Sequence, residues 1–98
     1  MIEVTVHRPG GVTTTQRVDG EVVLIGSDPR CIVRIAVPHV VPIHAVITGM
    51  QIEARNGVLL VDGVAIERLP LDPEQRVTVT LGRSGVRIEL VAHGGPHL

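Results

Sequence analysis

Along most of the chain apolar residues alternate with polar ones at a period of two, and this alternation limits what the chain can fold into. Ile2, Val4 and Val6 are interleaved with Glu3, Thr5 and His7; Val77, Val79 and Leu81 with Thr78 and Thr80; Val86, Ile88 and Leu90 with Arg87 and Glu89. Successive side chains of a strand point to opposite faces of a sheet, so each of these stretches buries one face and wets the other. No segment of useful length carries the spacing of an amphipathic helix. Phe, Tyr and Trp are absent. The core must therefore be built from Val, Ile, Leu and Ala, whose β-branched members suit strands better than helices.

Turn signals divide the pattern into strands. "RPGG" breaks the first run, "VTTTQRV" pairs back, and "DG" at Asp19 and Gly20 turns into the more buried "EVVLIG". The next strand is "CIVRI", followed by "AVPHVVP" as a loop and "IHAVIT" as a strand. "QIEA" and "VLLV" flank "RNG", where Asn56 and Gly57 predict a hairpin; Asp62 and Gly63 form a second turn, and "RLPLDPEQ" reads as a loop before the last two strands. About ten short strands at regular spacing predict an all-β sandwich.

Composition limits the function. At 98 residues the chain is one domain, and 44% hydrophobic against 19% charged residues predicts a folded globule with a modest core. A net charge of -1 and no lysine leave no basic stripe, and no aromatic platform exists for stacking bases, so nucleic acid is excluded as a partner. The single Cys31 forms no internal disulfide and fits a reducing compartment or simple burial. Neither an apolar run of about 18 residues nor a leader is present, which predicts a cytoplasmic domain without direct membrane contact, either free or part of a longer, anchored protein. The sandwich is expected to span residues 1–92, with 93–98 as a flexible tail or linker stub.

The order of motifs resembles the forkhead-associated (FHA) domain over residues 20–92. "LIGSDPRCIVRI" follows the family's Ile-Gly-Arg, loop, Cys-Asp-Ile element; "VVPIHAVI" matches Ser-Arg-x-His-Ala-x-Ile at His44, Ala45 and Ile47; "RNGVLLVDG", "LPLDPEQ" and "TLG" echo the elements that follow. The resemblance implies an eleven-stranded antiparallel β-sandwich, FHA/SMAD-like, that in its usual form reads phosphothreonine through loops at one end. It also implies a structural role for His44, tying loops together, and a buried Cys31.

The departures lie at the phosphate. Ser27 stands where the family has the phosphate-gripping Arg, Val41 where it has a phosphate-bonding Ser, and Pro42 where a basic residue follows. Valine and proline offer no side-chain donor, and each charge-assisted bond lost is worth roughly 1.5–3 kcal/mol. The peptide-anchoring Asn corresponds to Asn56 by motif or to Asp62 by position. What the loop offers instead is apolar surface: Val37, Val40, Val41 and Ile43 around His39, stiffened by Pro38 and Pro42. These residues form either a protein-binding patch or an inward cap on the sandwich. A metal site is not indicated by His39, His44, His93 and His97, nor a catalytic triad by Ser27, Asp28 and His44, because neither set has the accompanying geometry; no cofactor motif is present.

Two readings of function follow. In the first, the chain is a non-catalytic, phosphorylation-independent module that binds a protein partner or another copy of itself, as in bacterial scaffolding assemblies that use phosphate-blind domains of this kind. In the second, it is a phosphothreonine-peptide reader with a rearranged site built on Arg30, His39 and backbone N–H groups.

Overall fold

The computed structural model describes residues 1–19 and 22–93, and among them there is no helix. Eleven strands form two sheets. The six-stranded sheet runs β2 (Thr13–Val18), β1 (Ile2–His7), β11 (Arg87–Ala92), β10 (Arg76–Leu81), β7 (Leu59–Val61) and β8 (Val64–Ile66). The five-stranded sheet runs β4 (Val33–Arg34), β3 (Val22–Gly26), β5 (Ala45–Thr48), β6 (Gln51–Ala54) and β9 (Arg68–Pro70). Pairing is antiparallel except between β3 and the two-residue β4, where Ile25 lies beside Val33 and Gly26 beside Arg34 in parallel register.

Period-two alternation produces the layers. β1 buries Ile2, Val4 and Val6, and its neighbour β11 buries Ile88, Leu90 and Ala92 against the same core. From the facing sheet come Val23 and Ile25 of β3, Ala45 and Ile47 of β5 and Ile52 of β6, so the space between the sheets is wholly aliphatic. The outer face of the larger sheet is polar and cross-paired. Thr5 and Thr15 hydroxyls bond at 3.1 Å, Arg17 reaches Glu3 at 3.6 Å, and Glu89 lies between His7 and Arg76.

The first hairpin also secures the edge of the other sheet. Gln16 Nε2 donates to Ile32 O at 3.1 Å and Arg8 to Arg34 O at 3.3 Å, so carbonyls beside and within β4 are capped by side chains rather than left open to another strand.

Three sequence expectations are corrected. Asn56 and Gly57 do not make a hairpin, because β6 and β7 belong to different sheets and the segment between them crosses from one to the other. "RLPLDPEQ" is not all loop: its first three residues are β9, which pairs with β6 through Gln51 and Pro70, Ile52 and Leu69, Glu53 and Arg68. Pro70 is tolerated because β9 is an edge strand and a missing N–H there disrupts no further ladder. "CIVRI" contributes only the two residues of β4: Cys31 N–H is turned back to Asp28 O, and the ladder ends where Ile35 N–H bonds Gly26 O. His93 N–H bonds Met1 O at 2.9 Å and prolongs the β1–β11 ladder, whereas the rest of the expected tail, and Gly20 of the Asp19–Gly20 turn, lie outside the described residues.

Candidate functional site

One end of the sandwich gathers the segment after β3, the long β4–β5 loop, the β6–β7 crossing and the β10–β11 turn. Two glycines permit their close approach. A Cβ on Gly26 would sit 2.0 Å from the Pro42 carbonyl oxygen, so only glycine lets β3 pass beneath the β4–β5 loop. A Cβ on Gly57 would lie 2.5 Å from the His44 ring, so glycine gives the imidazole room to lie flat against the backbone. Gly57 is not in the left-handed region, and its place in the sequence reflects this contact rather than a turn.

His44 is buried and fastens three segments together. Its ring Nδ1 accepts the Val41 N–H at 3.3 Å, which leaves Nε2 as the protonated nitrogen, and Nε2 donates to Val58 O at 2.9 Å. Its backbone N–H bonds Ile25 O at 2.8 Å, and its carbonyl accepts the Arg55 N–H at 3.1 Å. Both ring nitrogens are thus satisfied inside the protein.

The loops are joined backbone to backbone. Ser27 N–H donates to Val41 O at 3.1 Å, Asp28 N–H to Pro42 O at 3.2 Å, Cys31 N–H to Asp28 O at 2.9 Å and Asn56 N–H to Ile43 O at 3.2 Å. Cys31 is buried with its thiol directed to Pro42 O at 3.2 Å, and burial, reinforced by the Asp28 charge, pushes its pKa up. Arg30 does not swing free. Its Nε and a terminal nitrogen grip both oxygens of Asp28 at 3.0 and 3.1 Å, and its backbone N–H adds a third bond at 2.8 Å. The side-chain and backbone donors of Arg30 hold the Asp28 carboxyl below its ordinary value. Arg34 Nε donates to Ser27 O at 3.3 Å.

The expected apolar patch is only partly present. Val40 is 6% exposed and belongs to the core, and Val37 packs against that core, because the Val40 N–H folds back to Val37 O and turns the two side chains inward. Val41 and Ile43 stay half-buried, and His39 is exposed at a left-handed φ of 73°. Asp62 belongs to the β7–β8 turn, with φ of 51°, and does not join the other positions; Asn56 does.

Beside His44 the loop end opens into a groove of about 420 Å³. It is lined by His39 and Val41 of the β4–β5 loop, Asn56, Gly57 and Val58 of the β6–β7 crossing, Leu60 of β7, and Gly82 and Arg83 of the β10–β11 turn. Arg83, Val58 and Leu60 were not singled out from the sequence. The available signal was "LGRSG", an arginine framed by glycines in the last hairpin, on the same end as the loops.

No protein-family model matches this chain, and no curated protein does. Solved structures do. The FHA-1 domain of Rv1747 from Mycobacterium tuberculosis is 19% identical with a TM-score of 0.71, over 95% of this chain and 98% of that one. The FHA domain of CT664 from Chlamydia trachomatis is 21% identical with a TM-score of 0.73, over 95% and 98%. An FHA domain studied for phosphothreonine-dependent interactions is 15% identical with a TM-score of 0.73, over 96% and 98%. This chain therefore has the forkhead-associated fold, in agreement with the resemblance carried by its motifs.

Proposed function

We propose that this chain is a non-catalytic protein-interaction module whose loop end engages its partner without requiring phosphorylation. The observation that carries this reading is the state of the donors at that end. The N–H groups of Ser27, Asp28, Arg30, Cys31, Val41 and His44 are already bonded within the protein, and the Arg30 guanidinium is spent on Asp28. A phosphate dianion needs several converging donors, each worth roughly 1.5–3 kcal/mol when charge-assisted. Around Ser27, Val41 and Pro42 it would meet valine and proline side chains and occupied amides, and the free donors that line the groove, Asn56 and Arg83, are fewer than the converging set a dianion needs. A rearranged reader built on Arg30 would first have to break a bidentate ion pair.

The test is an NMR titration of the 98-residue chain with a degenerate phosphothreonine peptide pool and its unphosphorylated twin. Equal responses to the two pools are expected. Saturable shifts at Ser27, Arg30 and His44 with the phosphorylated pool alone would overturn the reading, and loss of those shifts in Arg30→Ala would identify the replacement donor.

A further inference from the structure

We propose that the groove beside His44 seats an apolar side chain of an extended, acidic protein segment, with a carboxylate of that segment paired to Arg83. The proposal rests on the phosphorylation-independent reading above and names the chemistry of the partner.

The charge distribution selects the occupant. Arg83 is the one residue of fixed charge lining the groove, and no carboxylate lines it. Arg30 is engaged with Asp28, Arg34 with the Ser27 carbonyl and Arg55 with Glu53, and Arg87, at the start of β11, does not line the groove. Among the described residues the Arg83 side chain has no ion-pair or hydrogen-bond partner. A planar guanidinium offers a fork that a single carboxylate satisfies bidentately.

Position is fixed as well as charge. Leu60 lies opposite Thr80 and Leu59 opposite Leu81, so continuing the register sets Val58 beside Gly82 and Arg83 just beyond it. The turn that carries Arg83 is tied down by Ser84, whose hydroxyl donates to Leu81 O at 2.6 Å and accepts the Val86 N–H at 3.0 Å. The backbone that carries Arg83 is thus ordered before binding, and only its side chain has to settle when a partner arrives.

The walls set the rest of the preference. Val58 is 50% exposed, and with half-buried Leu60 and Val41 it gives the groove aliphatic sides that water covers only at a cost. The exposed Asn56 amide can both donate to and accept from the main chain of an extended segment. Aliphatic sides, a main-chain amide and one fixed cation together fit an acidic, apolar strand.

The test uses the 98-residue chain and pools of short peptides carrying a fixed Leu, with Asp or the isosteric Asn scanned over neighbouring positions. A third pool carries phosphothreonine at the scanned position. The readout is the amide shifts of Gly57, Val58, Gly82 and Arg83. The expected result is saturable binding of the Asp pool, about tenfold weaker binding of the Asn pool, and loss of that difference in Arg83→Gln. Leu60→Asp, a change at a half-buried position lining the groove, should weaken the Asp pool further by repelling its charge. Equal binding of the Asp and Asn pools, no binding of either, or an Asp preference that survives Arg83→Gln would overturn this proposal and leave phosphorylation-independence standing. Tighter binding of the phosphothreonine pool centred on Ser27 and Arg30 would overturn both.

Discussion

At the scale of single residues, the contact between His44 and Gly57 holds the loop end together. Adding a Cβ to Gly57 overpacks a buried ring, a change that costs roughly 1–3 kcal/mol. His44→Ala strands the Val58 carbonyl and the Val41 N–H and leaves a hole, for about 2–4 kcal/mol. Because the obstruction to Gly57→Ala is that ring, the two changes should be strongly non-additive. Urea unfolding followed by far-UV circular dichroism should show Gly57→Ala costing at least about 1 kcal/mol less in the His44→Ala background. Additive costs would mean that the backbone, not the ring, limits the site. Gly26→Ala serves as the contrast, since its Cβ would meet the Pro42 carbonyl and no side-chain deletion relieves it. Asp28 makes a second prediction. Its folded pKa is depressed, so the pairing contributes above the unfolded value and is lost as pH falls through the folded one. The carboxyl resonance of Asp28 should titrate below 3.8 in the native protein and move upward in Arg30→Gln. An unchanged midpoint would show that the fork with Arg30 does not form in solution. The roles of His44 and Cys31 were legible in the sequence through the motifs around them. Arg83 was not, because its importance comes from being unpaired in a groove, and pairing is a property of three-dimensional neighbours.

At the scale of elements, two similar dipeptides behave differently, and the difference shows what sequence can carry. Asp62 and Gly63 both have positive φ, as a tight two-residue hairpin requires, and Val61 pairs with Val64 across the turn. Asn56 and Gly57, with the stronger hairpin signature, make a crossing between sheets. Strand spacing and turn propensity are local and were readable: β1, β10 and β11 lie where alternation placed them, and β2 where the "RPGG" turn did. Sheet assignment is not local, and β9 was hidden because leucine between arginine and proline carries no period. The β7–β8 turn should accordingly tolerate Asp62→Gly and resist Asp62→Val, because a β-branched residue at φ of 51° is strained. Asp62→Val is expected to cost about 1–2 kcal/mol in urea unfolding and Asp62→Gly within about 0.5 kcal/mol. Equal costs would indicate that the hairpin adjusts its turn type instead of bearing strain.

At the scale of the whole molecule, the strand order makes the end of the chain indispensable to its beginning. β11 lies between β1 and β10, so the last strand is the only described link that joins the first hairpin to the rest of the six-stranded sheet. The core follows the same path: Ile88, Leu90 and Ala92 are buried among residues from both sheets, with no aromatic side chain to replace their volume. A chain ending at Gly85 would retain β1 and β2 as an isolated hairpin, which is marginal in water, and β10 with one flank unpaired. Its far-UV circular dichroism should lose the sheet signal, and its urea curve should show no cooperative transition. Adding residues 86–93 back as a separate peptide should restore both, since what is missing is one central strand. A cooperative transition in the shortened chain would mean that β1 can pair directly with β10, and that the FHA strand order is not the only arrangement open to this sequence. The same topology makes the β1–β11 pairing non-local, so refolding of the intact chain should fall in the millisecond-to-second range expected of sandwiches rather than the microseconds of helical bundles.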